Sequence, residues 1–105
     1  MNIIQPGQGT KAYEKDSVTA KKLLSKPEVE AVRVELGPGG SLPAHTTPVD
    51  VFFFIIRGTG EVEIGTERET VSAGSLIESP KDIIHGLHNT SEEVFEVLVV
   101  KTPKP

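Results

Sequence analysis

The sequence predicts a small all-β barrel, and three observations lead there. Apolar and charged residues alternate singly along Val32-Arg33-Val34-Glu35-Leu36 and again along Glu61-Val62-Glu63-Ile64, the period-two signature of a half-buried strand. Val51-Phe52-Phe53-Phe54-Ile55-Ile56 is an unbroken β-branched and aromatic run, as expected of a strand covered on both faces. Glycine and proline break the chain into short segments at spacings of roughly 8–12 residues, which favours a sandwich or barrel over a parallel α/β sheet.

In chain order, the first ten residues are rich in Gln, Gly and Pro, and a loosely held N-terminal arm is expected over residues 1–15. Asp16 to Lys26 is open between one irregular strand and a single helical turn, which Ser17 could cap and Pro27 would stop. The alternating strand through Leu36 ends at Gly37-Pro38-Gly39-Gly40, and the run from Val51 ends at Arg57-Gly58-Thr59-Gly60. A turn at Gly65-Thr66-Glu67-Arg68 joins Val62 and Ile64 to Thr70 and Val71, and Leu76-Ile77 stop at Ser79-Pro80. Val94 to Val100 makes a long closing strand, and Lys101 to Pro105 reads as a polar tail. The run at Val51–Ile56 has no polar face. Its outer side must be covered by a second subunit or by the N-terminal arm, and a homodimer is the expectation.

The chain has 105 residues, a formal net charge of −4 and no cysteine. That length fits one domain spanning 1–105 with one core. The acidic balance argues against a nucleic-acid partner, because neutralising phosphates needs a surplus of Lys and Arg. Without cysteine there is no disulfide, no thiolate metal site and no thiol nucleophile. The first residues lack the basic start and apolar stretch of a signal peptide, and the longest apolar run is too short to span a bilayer. A cytoplasmic protein without membrane contact is therefore expected.

Two stretches carry the chemistry. The first is Gly39-Gly40-Ser41-Leu42-Pro43-Ala44-His45-Thr46-Thr47-Pro48-Val49-Asp50-Val51 and on to Gly58; the second is Gly74-Ser75-Leu76-Ile77-Glu78-Ser79-Pro80-Lys81-Asp82-Ile83-Ile84-His85 and on to Asn89. Together they resemble the paired sequence motifs of the cupin family. Gly39, His45 and Gly58 match the first motif, and Gly74, Pro80, His85 and Asn89 match the second. The resemblance covers about residues 31–100. It implies a single-domain jelly-roll β-barrel, usually dimeric, with a metal at the centre of its bore. In metal-binding cupins the ligands are two His and a Glu from the first motif and a His from the second.

This chain departs from that ligand set. His45 and His85 hold the first and last ligand positions, but the second His position is Thr47 and the Glu position is Val51. Valine cannot ligate, and two imidazoles fall one short of the three protein ligands typical of a catalytic zinc site. Asp50 could supply the missing carboxylate only through a bulge or from a loop preceding the strand, because a one-residue step turns a side chain to the opposite face. Asp82 stands where the motif has Gly, and a solvated carboxylate is expected there. His88 lies an odd number of residues from His85 and should face away from it. Glu61 and Glu63 read as solvated strand charges, and Tyr13 as a packing residue.

The resulting expectation is a small-molecule-binding cupin with a reduced metal site on His45 and His85, holding a divalent transition metal. If pleat parity holds from Val51, then Thr47, Val51, Phe53 and Ile55 line the bore around a small organic ligand. Two alternatives stand beside it: a metal-dependent dioxygenase or isomerase of a small oxygenated substrate, and a non-catalytic structural or sensory homodimer.

Overall fold

Period-two alternation needs two sheets that share a core. The computed structural model, which describes residues 1–105, contains ten strands and no helix. They are β1 (Thr10–Lys15), β2 (Val18–Lys26), β3 (Val29–Leu36), β4 (Ser41–His45), β5 (Asp50–Arg57), β6 (Thr59–Ile64), β7 (Glu67–Ser72), β8 (Leu76–Ser79), β9 (His85–His88) and β10 (Phe95–Thr102). One sheet has six strands in the order β1-β2-β3-β10-β5-β8, and the other has four in the order β4-β9-β6-β7. All pairings are antiparallel. The all-β jelly roll expected from the sequence is thus built as two sheets with one hydrophobic core between them. No helix is long and apolar enough to cross a membrane.

The core follows directly from pleat parity. Val32, Val34 and Leu36 of β3, Val51, Phe53 and Ile55 of β5, and Phe95, Val97 and Val99 of β10 are all buried. Val62 of β6 and Leu87 of β9 join them from the four-stranded sheet in a single cluster. Each large apolar side chain so buried stabilises the fold by roughly 1.5–3 kcal/mol. Asn89 closes one end: its amide donates to the carbonyls of Leu36 (2.9 Å) and Glu93 (2.7 Å). This motif residue acts as a staple between loops.

Two expectations need correction, and one open reading is resolved. Residues 10–15 are no loose arm but the edge strand β1, paired along β2 from Thr10↔Lys22 to Lys15↔Val18. β1 is almost wholly exposed apart from half-buried Tyr13, so no alternation announced it. Lys101 and Thr102 are not tail residues but the end of β10, paired with Val51 and Asp50. Residues 16–26 resolve as the irregular strand: β2 has a register break between Lys22 and Leu24.

The outer face of β5 is only half covered. Leu98, Phe54 and Leu76 are cross-strand partners in one row over β10, β5 and β8. Phe54, Ile56 and Leu76 are exposed by 37%, 41% and 57%. β1 lies at the opposite edge of the sheet, so this strand does not cover the row.

β5 continues into β6, and therefore from one sheet into the other, through Gly58. Its φ is +86°, and a Cβ there would lie 2.2 Å from the Val94 carbonyl oxygen. Gly58→Ala should therefore cost at least about 1–3 kcal/mol from backbone strain alone. Urea denaturation checks this; an unchanged midpoint would contradict the tight crossing.

Candidate functional site

β9 carries His85 inward, beside Leu87, while β4 brings His45 alongside it as its direct register partner. The two imidazoles meet edge to face with ring centroids 4.7 Å apart, and the Phe53 ring stands 5.3 Å from His85. They border a cavity of about 510 Å³ whose walls include Val32, Val34, Phe53, Leu87 and Val99. That size and apolar lining suit a small organic molecule.

The two histidines are held differently. The His45 Nδ1–H donates to the Pro43 carbonyl at 2.9 Å. Since a carbonyl only accepts, this fixes the neutral tautomer and leaves the Nε2 lone pair free. His45 is exposed at the cavity mouth. His85 is buried, and both of its ring nitrogens are engaged: Nδ1 with the Ser79 hydroxyl at 2.7 Å, Nε2 with the Thr47 hydroxyl at 3.2 Å. Hydroxyls donate or accept as needed, so a neutral ring is fully satisfied in either tautomer. Burial, with the charges of His45 and Lys101 adding to it, pushes the His85 imidazole down to about 4.

Thr47 is itself positioned by the second motif. Its carbonyl accepts the Asp82 N–H at 2.9 Å. Asp82 takes φ of +64°, the left-handed conformation that suits the glycine of the motif and that aspartate tolerates better than most residues. Asp82 is exposed, as expected.

Among the other residues singled out from sequence, Phe53 and Tyr13 line the cavity. Val51 and Ile55 point inward, as parity requires, but are absorbed into the core cluster. Thr47 reaches the site through its bond to His85 instead of through the wall. Asp50 is exposed, pairs regularly with Thr102, and accepts the Lys81 N–H at 3.0 Å. There is no bulge to turn it inward. His88 faces the other way from His85, bonded to Ser41 (2.9 Å) and Glu63 (3.0 Å) on the outer surface of its sheet. Glu61 and Glu63 are not simply solvated: both pair with Arg68.

Sequence reasoning missed four cavity-side residues. Ser79 is buried opposite Val51; as the residue before Pro80 it looked like a strand end. Lys22, Glu30 and Lys101 line the cavity together. Glu30 bonds Lys22 at 3.0 Å and Lys101 at 3.5 Å. The signal was present as parity: Lys101 continues the inward set of Val97 and Val99, and Glu30 precedes that of Val32 and Val34.

A family profile described as the cupin domain matches residues 32–101. The chain belongs to the cupin family. Among relatives, an uncharacterised protein of Streptomyces coelicolor is 33% identical over 54 residues, which is 51% of this chain and 50% of that protein. This cupin thus spans about half the length of that curated relative in the match. Two solved structures share the fold over nearly the whole chain. KdgF from Halomonas sp. has a TM-score of 0.86 at 19% identity, covering 99% of this chain and 96% of that one. A predicted oxalate decarboxylase from Thermotoga maritima has a TM-score of 0.84 at 22% identity, covering 97% and 99%.

Cupins often hold a transition metal, and the donor set here does not fit one. No group of three or more His, Asp or Glu side chains converges anywhere in the structure. At the four ligand positions of the motifs stand two imidazoles, a hydroxyl already bonded to His85, and the Val51 side chain. The His85 nitrogens are both occupied by hydroxyl partners. The metal centre expected on His45 and His85 is thus left with two imidazoles and no third protein ligand, while Ser79 and Thr47 hydrogen-bond the His85 ring.

The His85 ring gives a pH prediction. The unfolded ring takes up a proton near 6.5, the folded ring only near about 4. His85 therefore contributes stability that is complete above about pH 6.5 and is lost as pH falls towards 4, roughly 3 kcal/mol in all. Proton NMR should show the His85 ring titrating near pH 4 while urea stability falls more steeply than in His85→Asn. A ring midpoint near 6.5 would contradict the buried, doubly bonded state.

Proposed function

We propose that this cupin binds a small oxygen-bearing organic molecule in the cavity, with His45 Nε2 as the polar group that reads it and His85 as a neutral, fixed wall. The observation that carries this reading is the asymmetry of the two imidazoles: one is fully bonded, the other is turned so that a free lone pair remains at the cavity mouth. Apolar walls supply contact area, and the few polar groups supply orientation. In this reading the imidazoles work as hydrogen-bonding groups, with no resident metal. The fold likeness to a predicted oxalate decarboxylase is compatible with small oxygenated ligands but, at 22% identity, is a likeness of fold alone.

Saturation-transfer NMR with a panel of small alcohols, phenols, keto compounds and organic acids tests the reading. Hits are expected to perturb the Phe53 and His45 ring signals and to weaken about tenfold in His45→Ala, the worth of one good hydrogen bond. Hits indifferent to His45→Ala, or none at all, would contradict it.

We also propose that a second copy of the chain covers the row of Leu98, Phe54 and Leu76. The row lies on a sheet face where Arg33, Glu35, Arg57 and Glu96 already neutralise one another, which leaves an apolar, charge-balanced surface able to meet itself about a two-fold axis. Light scattering over a dilution series should give a dimer for the wild type and a monomer for Phe54→Lys. A monomer at all concentrations would remove the proposal.

A further inference from the structure

The cavity holds a charge cluster that the histidines do not explain. Lys22, Glu30 and Lys101 sit on the inward faces of β2, β3 and β10, with Glu30 and Lys101 in direct register. All three line the same cavity as His45 and His85. Glu30 is the most buried charged side chain of the group, 5% exposed, against 38% for Lys22 and 25% for Lys101. Its Oε1 faces Lys22 and its Oε2 faces Lys101. Burial alone would raise the Glu30 carboxyl, but the two ammonium groups outweigh it and hold it below the usual carboxylate range.

Two cations beside one anion leave one positive charge without a partner. Neither lysine has another acceptor within bonding distance, so each keeps ammonium protons free. A surplus charge against apolar walls costs free energy unless something neutralises it. Glu30 spaces the two ammonium groups and prevents their repulsion, which suits a site that must hold both ready. The charged and imidazole ends open into one cavity of about 510 Å³, a size that a single small organic molecule can span.

We propose that the lysine end of the cavity binds the carboxylate of a small organic acid whose other oxygen function meets His45 Nε2. This rests on the cavity being a ligand site and adds the ligand's chemical class. Lys22 and Lys101 donate to the carboxylate, Glu30 holds them apart, and the Val32, Val34 and Val99 side chains contact the carbon chain between the two polar ends.

The test compares 4-oxopentanoate with its methyl ester, and 4-hydroxybutanoate with its methyl ester, by calorimetry and NMR titration on the full chain. The wild type should bind each acid at least about tenfold more tightly than its ester, as expected for a charge-assisted hydrogen bond. Lys22→Met and Lys101→Met each bring the cluster to zero net charge, so either should collapse the acid–ester gap. Both lysines are partly exposed, and an unchanged NMR fingerprint confirms folding. Glu30→Gln should widen the gap, and His45→Ala should weaken acid and ester alike. Acid and ester binding equally, with both lost in His45→Ala, would overturn the carboxylate proposal and leave the cavity reading standing. No binding of any of the four compounds, together with no hit from the wider panel, would overturn both.

Discussion

Neighbouring residues of a strand point to opposite faces, and in this chain that constraint decides nearly everything else. On β5 it sends Val51, Phe53 and Ile55 inward and leaves Phe54 and Ile56 outside. On β10 it carries Val97, Val99 and Lys101 inward in turn, and on β3 it does the same for Glu30, Val32 and Val34. The core and the charged end of the cavity are one set of inward positions: apolar where the two sheets close on each other, charged where they open.

The same constraint explains why the motif positions bring no third metal-ligating side chain to His45 and His85. Val51 at the Glu position of the first motif leaves no carboxylate where parity would aim one into the bore. Asp50, next to it, is sent outward to the Lys81 N–H. His85 buries two ring nitrogens, and each needs a hydrogen-bond partner. It finds them in Ser79, paired opposite Val51, and in Thr47, at the second ligand position. The hydroxyls are thus consistent replacements, each placed by an element of the two motifs. His45 keeps an open nitrogen because its ring is anchored from behind by the Pro43 carbonyl.

Much of this was legible in the residues, for identifiable reasons. Alternation at Val32–Leu36 and the apolar run at Val51–Ile56 announced strands whose burial is strong and regular. The two motif frames announced that His45 and His85 would meet. What stayed hidden lay where burial and polarity disagree. β1 is an exposed edge strand with one packed residue, Tyr13, and carries no periodic signal. Ser79 before a proline looks like a strand end, although its hydroxyl is buried against His85. Lys22, Glu30 and Lys101 look like solvent-facing strand charges, because sequence shows the residue type and not the open end of the cavity it lines. Val51 and Ile55 were given the right face but not the right neighbourhood, since only Phe53 on that strand reaches the cavity.

Elemental analysis tests most directly whether His45 and His85 serve an organic ligand with no resident metal. Untagged protein would be loaded separately with zinc, manganese, iron(II) and nickel, desalted, and measured beside a His45→Ala/His85→Ala control. The donor set described here predicts far less than one metal per chain and no difference from the control. About one metal per chain, lost in the control, would contradict it and make two imidazoles the heart of a metal site.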